Sequence, residues 1–78
     1  MSHVPNELHD EFPEAHERMR TLKQSDAHFA RLVDSYHEIN RAIHRANAEV
    51  EPTSDEIIEQ MKKQRLAIKD ELAAMIAN

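Results

Sequence analysis

The sequence predicts an all-α protein built as an antiparallel αα-hairpin with coiled-coil-like packing, and three observations predict it. Two long stretches carry apolar residues at steps of three and four, which places them on one stripe of a helix. No glycine occurs anywhere in the 78 residues, so hairpin turns and phosphate-cradling loops, which want positive φ, lack their usual residue. Pro52 lies between the two stretches and blocks continuation of the first into the second.

Residues 1–12 carry Pro5 and mixed polar side chains and are expected to be a flexible N-terminal segment. The single helical-hairpin domain is then expected over 13–78, with a first helix at about 13–46, a loop at about 47–53 and a second helix at about 54–77. Pro13 suits the first turn of a helix, where a missing N–H costs nothing. A seven-residue apolar series, Leu8, Ala15, Leu22, Phe29, Tyr36, Ile43 and Val50, runs along almost the whole chain. Its companion position lies four residues on at first (Phe12, Met19) and three residues on later (Leu32, Ile39, Ala46). The change falls at Ser25-Asp26. Ser25 is a good N-cap and Asp26 a good first-turn residue, so the first helix is either broken there or continuous with a shifted buried face.

Asn47 can end that helix in the left-handed conformation, and Thr53 with Glu56 reads as a capping box for the next, with Ser54 as a second possible cap. The second stripe runs Ile57, Met61, Ile68, Leu72, Met75. Set antiparallel, the stripes pair Ile43 with Met61, Tyr36 with Ile68, Leu32 with Leu72, and Phe29 with Met75. The same register sets Ile39 against Arg65 and Asn40 against Gln64, a polar layer amid apolar ones; buried, such a layer fixes register at some cost in stability, but the outward reading is preferred. The arginine stem is expected to lie along Ile39 with the guanidinium turned out toward Glu38 or Asp34. Asn40 with Gln64 is expected to be an exposed or flanking pair.

The run LKQSDAHF followed by RLAIKDE resembles the small bacterial YdcH-like family of unknown function. The family-like positions are Leu22, Lys23, Asp26, His28 and Phe29 in the first segment, and Arg65, Leu66, Lys69, Asp70 and Glu71 in the second. Ile68 stands where the family tends to have Leu, and Ala46 and Met61 depart from the expected acidic residue and Leu. The resemblance covers roughly residues 22–76 and implies a helical hairpin with no established activity.

Candidate chemistry is sparse. There is no cysteine, hence no disulfide and no thiolate zinc site. His9 with His16, and His37 with His44, are spaced by seven residues, about 10 Å along a helix, whereas two ligands from one helix need steps of three or four. They are read as surface histidines, and His28 as a first-turn residue packed on the open end of the hairpin. Asp70 and Glu71 point to different sides of a helix and make no catalytic dyad. The expectation is therefore no enzyme, no metal and no cofactor. The opening MSHVPNELHDEF lacks a basic end and an apolar run, so a cytoplasmic location is expected and membrane association is not.

The surplus of apolar residues carries the functional expectation. A two-helix hairpin leaves Val33, Ile58, Leu66 and Ile76 on its flanks and Phe12, Met19 and Leu22 beyond the end of the shorter helix. A core of that size is marginal alone, so these seven predict a partner, either a second copy or another helical protein. Fold-back of residues 13–23 over them is disfavoured by the absence of a glycine-bearing turn near Ser25. The resulting reading is a self-associating interaction or adaptor module acting by helix-in-groove contacts. The alternative is nucleic-acid binding through a basic cluster at Arg41, Arg45, Lys62, Lys63 and Lys69, set in a chain of net charge −5.

Overall fold

The computed structural model describes residues 7–48 and 54–77, the side chain of residue 9 excepted. Within them the chain is all helical: a single turn α1 (Leu8–Glu11) and three helices, α2 (His16–Ser25), α3 (Ala27–Asn47) and α4 (Asp55–Ala77). The structure thus has three helices plus a turn where two helices were expected.

Two local causes divide the N-terminal half. Phe12 precedes Pro13, and a residue before proline is kept out of the helical region; Phe12 stands at φ −131°, ψ 63°, and α1 ends there. Ala15 N–H then donates to Phe12 O at 3.1 Å, closing a β-turn with Pro13 at its second position. So α2 begins at His16, after that turn, and not at Pro13.

The second break is a single residue wide. Asp26 is extended (φ −131°, ψ 106°), and its carboxylate accepts from the backbone N–H of His28 at 3.0 Å and Phe29 at 3.2 Å. Asp26 is therefore the N-cap of α3, and Ser25 is the last residue of α2, its hydroxyl donating to Thr21 O at 2.9 Å. A carboxylate reaches two N–H groups and favours the positive end of a helix, which explains why it takes the cap from the serine. At the far end α3 runs through Asn47, and Ala48 closes it at φ −84°, ψ 2°, without a left-handed residue. Ser54 Oγ accepts from Ile57 N–H at 3.2 Å at the start of α4. The Thr53 cap, Pro52, and residues 1–6 of the expected flexible segment lie outside the described residues.

Helices α3 and α4 pack along each other, and both α2 and α1 pack against α3. The core consists of Leu8, Phe29, Val33, Tyr36 and Leu72, with Phe12, Met19, Leu22, Leu32, Ile68, Met75 and Ile76 half-buried around it. Two expectations are overturned here. Leu8 is 4% exposed, Glu7 is buried and Phe12 is half-buried on the same core, so these residues of the segment expected to be flexible pack against the helices. Residues 13–23 do fold back over the apolar end: the extended Asp26 supplies the reversal for which a glycine seemed to be required.

The buried stripe of α3 is also rotated from the expected one. Phe29, Val33, Tyr36, Asn40 and Ile43 are buried, whereas Leu32 and Ile39 are only half-buried. Either set fits a helical period, and the N-terminal segment lies on the side that holds Val33, which selects that set. On α4 only Leu72 is fully buried among the five stripe residues; Met61, Ile68 and Met75 are half-buried, and Ile57 is 52% exposed. Ile57 stands in the first turn of α4, beyond the reach of the N-terminal cover, and is not a core residue.

Candidate functional site

Helical geometry divides the α3–α4 pair into two faces. At 100° per residue, His37 and Arg41 lie on one side of the Tyr36 line of α3, and Ser35, Ile39 and Ala42 on the other. On α4 the matching division sets Lys69 and Ile76 apart from Gln64 and Ala67.

The first face is closed by the N-terminal segment. Glu7, itself buried, brings Oε2 within 2.9 Å of His37 Nδ1 and Oε1 within 3.7 Å of Arg41 Nη2. The His37 nitrogen is buried and the contact is not aligned as a hydrogen bond. Glu11 Oε1 accepts from Lys69 Nζ at 3.0 Å, and Arg18 Nε donates to Ile76 O at 3.4 Å. One acidic residue therefore ties the segment to α3 and a second ties it to α4, with Leu8 between them in the core. Burial pushes the Tyr36 hydroxyl pKa above its ordinary value, Glu11 and Glu7 push the same way, and Arg65 opposes them.

This closed face accounts for most of the residues expected to form an interface. Phe12, Met19, Leu22 and Ile76 pack on the core, and Val33 is 3% exposed within it. They are covered inside one chain. Ile58 is half-buried. Leu66 is 57% exposed, but helical spacing turns it away from α3, among Lys62, Lys63 and Asp70.

The second face is open. Between α3 and α4 runs a groove of about 520 Å³ lined by Ser35, Ile39, Ala42, Gln64, Ala67 and Ile68, with Glu38 and Arg45 at its edge. His28 Nε2 and Glu71 Oε2, 2.8 Å apart and each about half exposed, meet on the same side. Toward the start of α4 a second hollow, lined by Ile57, Gln60 and Met61, shares Gln64 with the groove and extends it. Of the residues read as core, Ile39, Met61 and Ile68 thus border open surface.

The middle of the pair holds a polar contact. Arg65 Nη1 donates to Asn40 Oδ1 at 2.8 Å, and Asn40 is 0% exposed. The guanidinium turns inward, not out toward Glu38 or Asp34, because the buried Asn40 amide offers it an acceptor in place of solvent. Asn40 is correspondingly no flanking residue and does not pair with the exposed Gln64.

The basic cluster is partly answered by the chain's own acids. Lys69 is paired with Glu11, and Arg41 lies near Glu7, whereas Lys62 and Lys63 are exposed. Among the described residues no group of three or more His, Asp or Glu side chains converges as a metal site would require, and no helix is long and apolar enough to cross a membrane. Leu8 stands at the head of the seven-residue apolar series, whereas Glu7 and Glu11 have no signal in the sequence, since spacing along the chain does not show which distant cation a carboxylate meets.

Comparison with curated proteins and with solved structures yields no match. A family model described as "Protein of unknown function (DUF465)" matches residues 29–76. That span begins at Phe29 in the first turn of α3 and ends within the last turn of α4. It includes the Arg65–Glu71 segment and leaves Leu22, Lys23, Asp26 and His28, with all of α1 and α2, outside. The match takes in more than half of the chain, and the chain therefore belongs to this family, which also includes the YdcH-like proteins.

Proposed function

We propose that this protein is a non-catalytic protein–protein interaction module that acts by self-association, with the open groove of an α3–α4 hairpin as the contact and a second copy as its occupant. The groove itself carries the reading: it lies on the side of the pair that the N-terminal segment leaves bare, and its floor is apolar through Ile39 and Ile68. The small side chains of Ser35, Ala42 and Ala67 let another helix approach at the close separations typical of packed helices.

Charge on the groove edge favours a second copy. Glu38 and Arg45 stand two helical turns apart on α3. If two α3 helices cross antiparallel with the two-fold axis near Ala42, each Glu38 meets the partner's Arg45. A two-fold interface has to be self-complementary in this way, and the pattern is read from one helix. The acid–base contacts among the described residues, His28 with Glu71 and Glu7 with His37, are read as ties between segments of the chain, and we propose binding and no catalysis, with no cofactor.

The test is sedimentation equilibrium of the wild-type chain beside Ala42→Glu. Concentration-dependent dimerisation lost in the variant, with helix content unchanged, supports the reading. A wild-type chain that remains monomeric across the accessible range, or a variant that dimerises equally well, overturns it. The nucleic-acid alternative has less support, because Lys69 and Arg41 already face carboxylates. Salt-sensitive binding of RNA or DNA lost on charge reversal of Lys62 and Lys63 would revive it.

A further inference from the structure

We infer that residues 7–25 are an exchangeable arm, which can leave its own α3–α4 pair and occupy the same site on a second copy while α2 and α3 join into one straight helix. This is independent of the groove and concerns the opposite face.

Four observations carry it. First, the break at Asp26 is slight. Asp26 N–H donates to Leu22 O at 2.8 Å and Ala30 N–H donates to Asp26 O at 3.1 Å, both helical bonds, so the ladder is interrupted only for residues 27–29. Two of those three N–H groups are held by the Asp26 carboxylate instead. Bent and straight forms therefore differ by little in hydrogen bonding.

Second, the apolar series Ala15, Leu22, Phe29, Tyr36, Ile43 keeps its seven-residue step across the break. Such a series forms one stripe only along a continuous helix. The sequence of α2 and α3 is thus compatible with both forms.

Third, the arm is lightly held. No residue of α2 is fully buried, and a cleft of about 160 Å³ lined by Leu8, Met19, Lys23, Val33 and His37 remains beneath it. Its anchors are Leu8, the half-buried Phe12, Met19 and Leu22, the contacts of Glu7 and Glu11, and the long 3.4 Å hydrogen bond from Arg18 Nε to Ile76 O. All of these can be remade without loss between two chains. Exchange of an identical element is a low-cost route to a dimer for that reason.

Fourth, the family match begins at Phe29, so the α3–α4 unit is defined without the arm. Straightened, α2 would project about 15 Å beyond the start of α3, far enough to present Met19 and Leu22 to another molecule. The occupant of the vacated face is then the arm of the second copy, with Glu7 against the partner's His37 and Glu11 against the partner's Lys69.

Two substitutions shift the balance in opposite directions. Ala27→Pro places proline at the first helical position of α3, where it is tolerated, after an Asp26 already in the extended conformation that proline requires of its neighbour. In a straight helix the same proline would be internal and disruptive. Asp26→Ala removes the cap of the bent form and improves the straight one.

The chain has no native cysteine, so one copy carrying Glu11→Cys and another carrying Lys69→Cys can be mixed and linked by a short bis-maleimide. Interchain linkage in the mixture is expected. It should rise about fivefold with Asp26→Ala and fall at least about tenfold with Ala27→Pro. No interchain product at any concentration, or the same yield in all three backgrounds, overturns the inference. Circular dichroism checks that Ala27→Pro folds, and Asp26→Ala tests the opposite direction if it does not. Ala42→Glu should leave this linkage unchanged, which separates arm exchange from association through the groove.

Discussion

Arg65 and Asn40 bridge the facing sides of α3 and α4: the guanidinium donates at 2.8 Å to an amide oxygen of a residue with no exposed surface. Ile43 is buried on the far side of this bridge along α3, away from the core around Phe29, Val33 and Tyr36. Asn40→Ala should leave the guanidinium without its acceptor and cost about 1–3 kcal/mol, measured as a lower urea midpoint with unchanged slope. Asn40→Leu with Arg65→Met, which removes both polar partners, should cost less than the sum of the two single changes.

Leu8 tests whether the N-terminal segment is part of the fold. Leu8→Ala should destabilise by about 2–4 kcal/mol, because a buried side chain is deleted from a small core. An effect below about 0.5 kcal/mol would show that residues 7–12 contribute nothing to the stability of the helices.

Tyr36 predicts alkaline sensitivity. Its folded-state pKa is raised above the ordinary value near 10, first by burial and then by Glu11. Below pH about 10 both folded and unfolded chains hold the proton, and the contribution is complete. Above it the unfolded chain ionises first, binds fewer protons than the folded chain, and stability falls as pH rises through the folded value. Urea midpoints between pH 9 and 11 should fall less steeply for Tyr36→Phe than for wild type.

The groove and the outer face of α4 should behave differently. Ala42→Glu, at the groove, should weaken self-association at least about tenfold. Leu66→Glu, on the outer face of α4, should change it by less than about twofold. Equal loss in both variants would move the interface to the outer face of α4.

The helical class was legible because the signals for it are long. Without glycine, and with stripes of period 3.6 on two stretches, little except packed helix remains. The break at Asp26 was visible as a change of step, but the same residues serve a bent and a straight helix. The tie of Glu7 and Glu11 to His37 and Lys69 was not legible, since the partners are 30 or more positions apart and no spacing rule links them.

The sequence by itself determined which residues could be inside: helical spacing limits the inner side of α3 to Phe29, Tyr36 and Ile43 with either Leu32 and Ile39 or Val33 and Asn40 beside them. Only the tertiary structure decided between the last two pairs. The N-terminal segment lies against the Val33 side, held there by Leu8 and its two carboxylates, and burial follows that cover. Asn40 goes inside where Arg65 reaches it, and Ile39 is left beside an open groove because none of the described residues lies over it.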